Sequence, residues 1–166
     1  MLGVACCRAV LSVAVVLCGL AGIAAADFQQ GLAAYNRGDF QTALEQWQPL
    51  ADAGDPTAQT ALGEMYYNGR GVVADRATAA SWFLKAADQG HISAQYALGR
   101  LYELGDGVNR DLVQAYMWLH LAATHAKGDT SDYLATNRNQ LAAHMTAEQI
   151  SAAQEMAKQW NNRHPQ

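Results

Sequence analysis

Residues 54–89 read GDPTAQTALGEMYYNGRGVVADRATAASWFLKAADQ, and residues 90–125 read GHISAQYALGRLYELGDGVNRDLVQAYMWLHLAATH. Laid over one another without a gap, the two stretches agree at 15 of 36 positions. A period between 20 and 50 residues marks a supersecondary unit that cannot bury its own apolar face and must stack on its neighbours. The fold is therefore an array, and the rest of the chain is read as its entry, a partial copy and a cap.

Within each unit the apolar spacing is helical. Ala58, Ala61, Leu62 and Met65 fall at i, i+3, i+4 and i+7, and Ala94, Ala97, Leu98 and Leu101 repeat the stripe. Gly63 and Gly99 interrupt the helices where glycine costs about 1 kcal/mol against alanine, which predicts close approach by a neighbouring helix. The small pairs Ala86-Ala87 and Ala122-Ala123 are the expected other side of that contact. Gly69-Arg70-Gly71-Val72 and Gly105-Asp106-Gly107-Val108 end the first helix in a left-handed residue and turn the chain back. Asp75 and Asp111 are placed to cap the second helix, with Gln114 as a capping-box partner. Val72, Trp82 and their copies fill the angle between the helices.

The run Ala-x-x-Leu-Gly-x-x-Tyr-x-x-Gly-x-Gly-Val-x-x-Asp-x-x-x-Ala-x-x-Trp-x-x-x-Ala-Ala resembles the Sel1-like repeat, a relative of the tetratricopeptide repeat. It is carried from Ala58, Leu62, Gly63 and Tyr66 through Gly69, Gly71, Asp75 and Trp82 to Ala87, and again from Ala94 to Ala123. The resemblance implies an all-α, right-handed solenoid of antiparallel helix pairs that acts by binding, as an adaptor, often in bacterial envelopes.

The first 26 residues stand apart. Arg8 is their only charge, an apolar or small run follows from Ala9 to Ala26, and Ala24-Ala25-Ala26 precedes Asp27, which predicts a secretory signal peptide over 1–26. An uncleaved anchor is the alternative, since about 18 residues is the lower bound for crossing a bilayer. Cys6, Cys7 and Cys18 all lie in this segment, so the exported chain has no thiol and no disulfide. It keeps 10 basic and 15 acidic side chains, a net −5, which disfavours nucleic acid and anionic membrane surfaces as partners. The expected location is periplasmic or secreted, without stable membrane insertion after cleavage.

Residues 27–53 are a third, shortened copy. Tyr35, Gly38, Ala43 and Ala51 match Tyr66, Gly69, Ala79 and Ala87, with the interhelical loop cut by five residues and Trp47 displaced one position from Trp82. Residues 126–166 form the closing cap. Lys127 to Asp132 is a polar turn, a helix runs through Leu134, Leu141 and Met145, and Thr146-Ala147-Glu148-Gln149 is a capping box. Ile150, Ala153, Ala157 and Trp160 mark the apolar face of the last helix, opposite Gln149, Gln154, Glu155, Lys158 and Gln159, as the polar end of a solenoid requires. Asn161 to Gln166 is expected to fray.

Residue patterns for chemistry are sparse. His91, His120, His125, His144 and His164 form no paired metal-ligand spacing, and no nucleophile stands beside a base. Gly69-x-Gly71 and Gly105-x-Gly107 lack the third glycine of a dinucleotide loop and are turns. Catalytic, metal and cofactor sites are therefore not expected. Function falls to positions the repeat leaves free on the concave side of the first helices: Thr57, Thr60, Glu64, Tyr67 and Asn68 in one unit, and Ser93, Tyr96, Arg100, Glu103 and Leu104 in the next. Thr60, Glu64, Tyr67, Asn68, Tyr96, Arg100 and Glu103 are the expected partner-binding residues, for a protein or peptide of the envelope. A small envelope hydrolase acting on cell-wall material or β-lactams is the alternative, and an inert spacer a third.

Overall fold

The structure, a computed structural model, describes residues 28–164. The expected signal segment lies outside the described residues. Among the described residues eight helices follow one another: α1 (28–36), α2 (Phe40–Asp52), α3 (Pro56–Asn68), α4 (Arg76–Asp88), α5 (Ile92–Leu104), α6 (Leu112–His125), α7 (Asp129–Ala142) and α8 (Ala147–Arg163). Among the described residues there is no strand, and the chain is an all-α solenoid of stacked helix pairs.

Local chemistry sets the helix ends. Asp39, Asp55, Asp75 and Asp111 each accept from backbone N–H groups at the start of the helix that follows. Gly69 and Gly105, with φ of 67° and 72°, close α3 and α5 in the left-handed conformation. Thr146 and Gln149 complete the capping box of α8. Gln114 contributes only its backbone N–H to the Asp111 cap, so the box expected there is not formed. The polar run before α7 is helical from Asp129, and α8 continues through Arg163, where fraying was expected. His164 stacks on Trp160 at 4.2 Å between ring centroids and holds that end.

The mid-helix glycines are where the helices of a pair touch. A Cβ on Gly63 would stand 2.6 Å from the Phe83 ring, and one on Gly99 would stand 2.9 Å from Leu119. The partners are thus the large residues of the second helix, which drive their side chains against the bare backbone, and the expected Ala86-Ala87 and Ala122-Ala123 pairs are not the contact. Phe83 and Leu119 are 36 residues apart and do the same work in successive units.

Successive pairs are locked by three kinds of contact. Gln59 and Gln95, both buried, donate from Nε2 to the carbonyls of Ala51 and Ala87 at 3.1 and 3.2 Å, satisfying acceptors at the end of the preceding helix. Each interhelical loop also leans on the pair before it. A Cβ on Gly71 would meet the Phe40 backbone at 2.9 Å, and one on Gly107 the Arg76 backbone at 2.3 Å. Finally, the Arg70 guanidinium lies 5.3 Å from the centroid of the Tyr35 ring, and at the equivalent position Asp106 pairs with Arg76 at 3.5 Å. The buried core divides accordingly. Trp47, Leu62, Met65 and Trp82 fill the N-terminal part, and Phe83, Leu98, Leu101, Trp118, Leu119, Leu121 and Trp160 fill the C-terminal part.

Candidate functional site: an open groove across the first helices

Two cavities of about 390 and 470 Å³ lie side by side on the α1, α3 and α5 side of the stack. Glu64 and Ser93 line both, which makes them one open groove with Glu64 at its middle. The first cavity is walled by Phe28, Leu32 and Tyr35 of α1 and Trp47 of α2, facing Thr57 and Ala61 of α3. The second is walled by Tyr67 and Asn68 of α3 and by Tyr96, Arg100 and Leu104 of α5. Ala61 and Ala97, read from spacing as part of the core stripe, are half-exposed and lie among the groove residues.

The partner-binding residues expected from sequence occupy different positions relative to this groove. Glu64, Tyr67, Asn68, Tyr96 and Arg100 line it. Thr60 lines the first cavity but is only 6% exposed, and its hydroxyl is already used: it donates to the Pro56 carbonyl at 2.7 Å and lies 2.9 Å from His91 Nδ1. Thr60 is therefore a packing residue between units rather than a free donor. Glu103 does not line the groove. It pairs with Arg100 one helical turn away, and that pair neutralises both charges. Tyr96 is also committed: its hydroxyl lies 3.2 Å from that of Tyr133 in α7 and 3.5 Å from Asn137 Oδ1, so it ties the cap to the array as well as facing the groove.

The aromatic wall from Phe28 to Trp47 did not emerge from the comparison of the two long units, because it belongs to the shortened copy. Trp47 donates from Nε1 to the Phe28 carbonyl at 3.1 Å and stacks on the Phe28 ring at 5.6 Å. A Cβ on Gly31 would fall 2.4 Å from the same indole, repeating the glycine contact seen at Gly63 and Gly99. Tyr35 and Trp47 were legible as repeat residues, and their second role was not.

Electrostatically the groove has one centre. Among the described residues no cation lies within ion-pair distance of the Glu64 carboxylate, since the ion pairs are Arg76 with Asp106, Arg100 with Glu103, and Lys158 with Glu155. Loss of water between the groove walls raises its pKa above the ordinary glutamate value, outweighing the attraction of Arg70. Desolvation lowers the pKa of His91 against the opposing pull of Asp55, which favours the neutral ring beside Thr60. Leu104 and Leu32, 59% and 37% exposed, line the groove, and Tyr133, 58% exposed, adjoins it through Tyr96.

The Sel1 repeat family matches at residues 56–91 and 92–126. Among solved structures, the chain is similar to a Sel1 repeat protein from Oxalobacter formigenes, with 36% identity and a TM-score of 0.61, over 70% of this chain and 90% of that one. It is also similar to a protective antigen present in uropathogenic Escherichia coli strains that displays an SLR fold, with 33% identity and a TM-score of 0.78. That match covers 85% of this chain, which spans 30% of the length of the antigen. No curated protein matches the chain. The chain belongs to the Sel1 repeat proteins, whose repeats generally mediate protein–protein interaction.

Proposed function

We propose that this chain is an exported bacterial binding module, not an enzyme, and that the groove across α1, α3 and α5 takes a protein or peptide partner in the cell envelope. The observation that carries the reading is the contrast between frame and groove. Most positions shared by the two long units are buried, helix-capping or turn-forming, whereas the groove positions other than Ala61 and Ala97 mostly differ between units and leave apolar side chains such as Leu104 in water. Export is supported by the pattern of Arg8, the apolar run to Ala26 and the small residues before Asp27. Of the described helices none is long and apolar enough to cross a membrane.

The test is cross-linking capture from envelope fractions with wild type and an Arg100→Ala, Leu104→Asp double variant. Both residues line the groove without belonging to the buried core, so the variant keeps its melting temperature and loses its captured partners. Full capture by the folded variant refutes the groove. Tyr96 is left intact in this test because its bonds to Tyr133 and Asn137 make it a stability residue as well.

A further inference from the structure

We infer that the groove holds an extended peptide by a single Lys or Arg side chain paired with Glu64, flanked on each side by an apolar residue seated in one of the two cavities. This rests on the reading of the groove as the binding surface and adds the chemistry of what it binds. The argument begins with charge. Glu64 stands where the two cavities meet and makes no ion pair: Arg100 is paired with Glu103, and Arg70, whose positive charge still attracts Glu64, holds its guanidinium on the ring and hydroxyl of Tyr35 rather than on the carboxylate. A carboxylate in a partly desolvated cleft gains most from a charge-assisted hydrogen bond to a cation brought by the ligand. One carboxylate does not make a divalent-metal site, which takes several oxygen ligands, and among the described residues no cluster of three metal-ligating side chains exists.

Shape supplies the flanks. On one side of Glu64 lie Phe28, Leu32 and Trp47, and on the other Tyr67, Tyr96 and Leu104. A helix with its side chains is about 10 Å in diameter, so with α3 between them α1 and α5 stand at least roughly 20 Å apart. An extended chain advances about 3.3 Å per residue, which puts the apolar anchors about three residues to either side of the cation. An amine without such flanks would leave both cavities in water. Asn68, also in the lining, donates from its amide nitrogen to the Glu64 carbonyl at 2.9 Å, which leaves its amide oxygen to accept a peptide N–H.

The test uses fluorescently labelled nonapeptides of the form Gly-Φ-Ser-Ser-Arg-Ser-Ser-Φ-Gly, where Φ is an equal mixture of Leu, Phe and Tyr, and two control pools with norleucine or Glu at the centre. Fluorescence anisotropy is expected to show wild type binding the Arg pool about tenfold more tightly than the norleucine pool, a ratio typical of one charge-assisted contact. Glu64→Gln, at an exposed position, erases that preference without weakening the norleucine pool. Glu64→Arg transfers the preference to the Glu pool, and Leu104→Asp weakens all three. Equal binding of the Arg and norleucine pools by wild type, or a preference that survives Glu64→Gln, overturns the cation pairing while leaving the groove as the binding surface. Binding of every pool that Leu104→Asp does not change, or binding of no pool, overturns both.

Discussion

Replacing Gly107 by alanine tests how the units are locked together. The residue has φ of +75°, where an L side chain costs about 1–2 kcal/mol. Its added Cβ would also lie 2.3 Å from the carbonyl carbon and oxygen of Arg76, both backbone atoms that do not swing aside. Overpacking of this kind adds about 1–3 kcal/mol, so the total is about 2–5 kcal/mol against the 5–15 kcal/mol that holds a domain of this size. Gly38→Ala is the internal control, because its φ is +81° and nothing lies within 4 Å of the added atom. It pays the backbone cost alone. With urea slopes of about 1–3 kcal/mol/M, the two midpoints separate by about 1 M, Gly107→Ala being the lower. Coincident midpoints would mean that the loop does not bear on Arg76 and that stacking relies on the helices alone.

Trp118→Ala removes a buried indole packed edge to face on Trp160 at 6.3 Å, and is expected to cost about 3–5 kcal/mol by denaturant titration. Gly99→Leu drives a side chain into Leu119 and the Ala115 carbonyl and should cost about 1–3 kcal/mol, an unchanged midpoint being the contrary result. The pKa values of His91 and His120 are both lowered in the folded state, chiefly by desolvation. The unfolded chain therefore binds more protons as pH falls below the ordinary histidine pKa of about 6.5, and stability declines from there down to the lowered folded values. His91→Asn should flatten that decline in thermal melts between neutral pH and pH 5. Glu64 acts with the opposite sign further into acid, since its raised pKa favours proton uptake by the folded state. Intact-mass measurement of the exported protein is expected to give a chain beginning at Asp27, and a Met1 terminus in a membrane pellet would favour the anchor.

The array was legible because it is written twice. Apolar spacing, cap aspartates and turn glycines each recur after 36 residues, and the structure places each where that recurrence puts it, except that Ala61 and Ala97 of the apolar stripe face the groove. What was missed involves contacts between unlike parts. Thr60 is engaged by His91 of the next unit, a contact that no periodicity within one unit reveals, and His91 takes the place of the cap residue Asp55 without capping α5 by its side chain. Tyr96 looked like an anchor for a partner, but its hydroxyl meets Tyr133 of α7, an element with no counterpart in the units compared. Gln59 and Gln95 were visible as identities but carried no periodic signal of their own, since a polar residue that bridges two helices does not show in an apolar stripe.

The same division of labour explains why the groove is free to vary. The contacts that stack one pair on the next come from the loops, from Gln59 and Gln95 near the start of the first helices, and from the second helices, whose faces are buried on both sides. The outer faces of α3 and α5 carry almost none of that burden. The exceptions lie at their margins, at Thr60 beside the next unit and at Tyr96 beside the cap. Between those two fixed points stand Glu64, Asn68, Arg100 and Leu104, all in contact with water. Substitution at exposed positions outside such networks usually changes stability by no more than about 0.5 kcal/mol. A residue whose charge is poorly compensated, as Glu64 is, therefore costs the fold little, and its carboxylate remains available to whatever enters the groove.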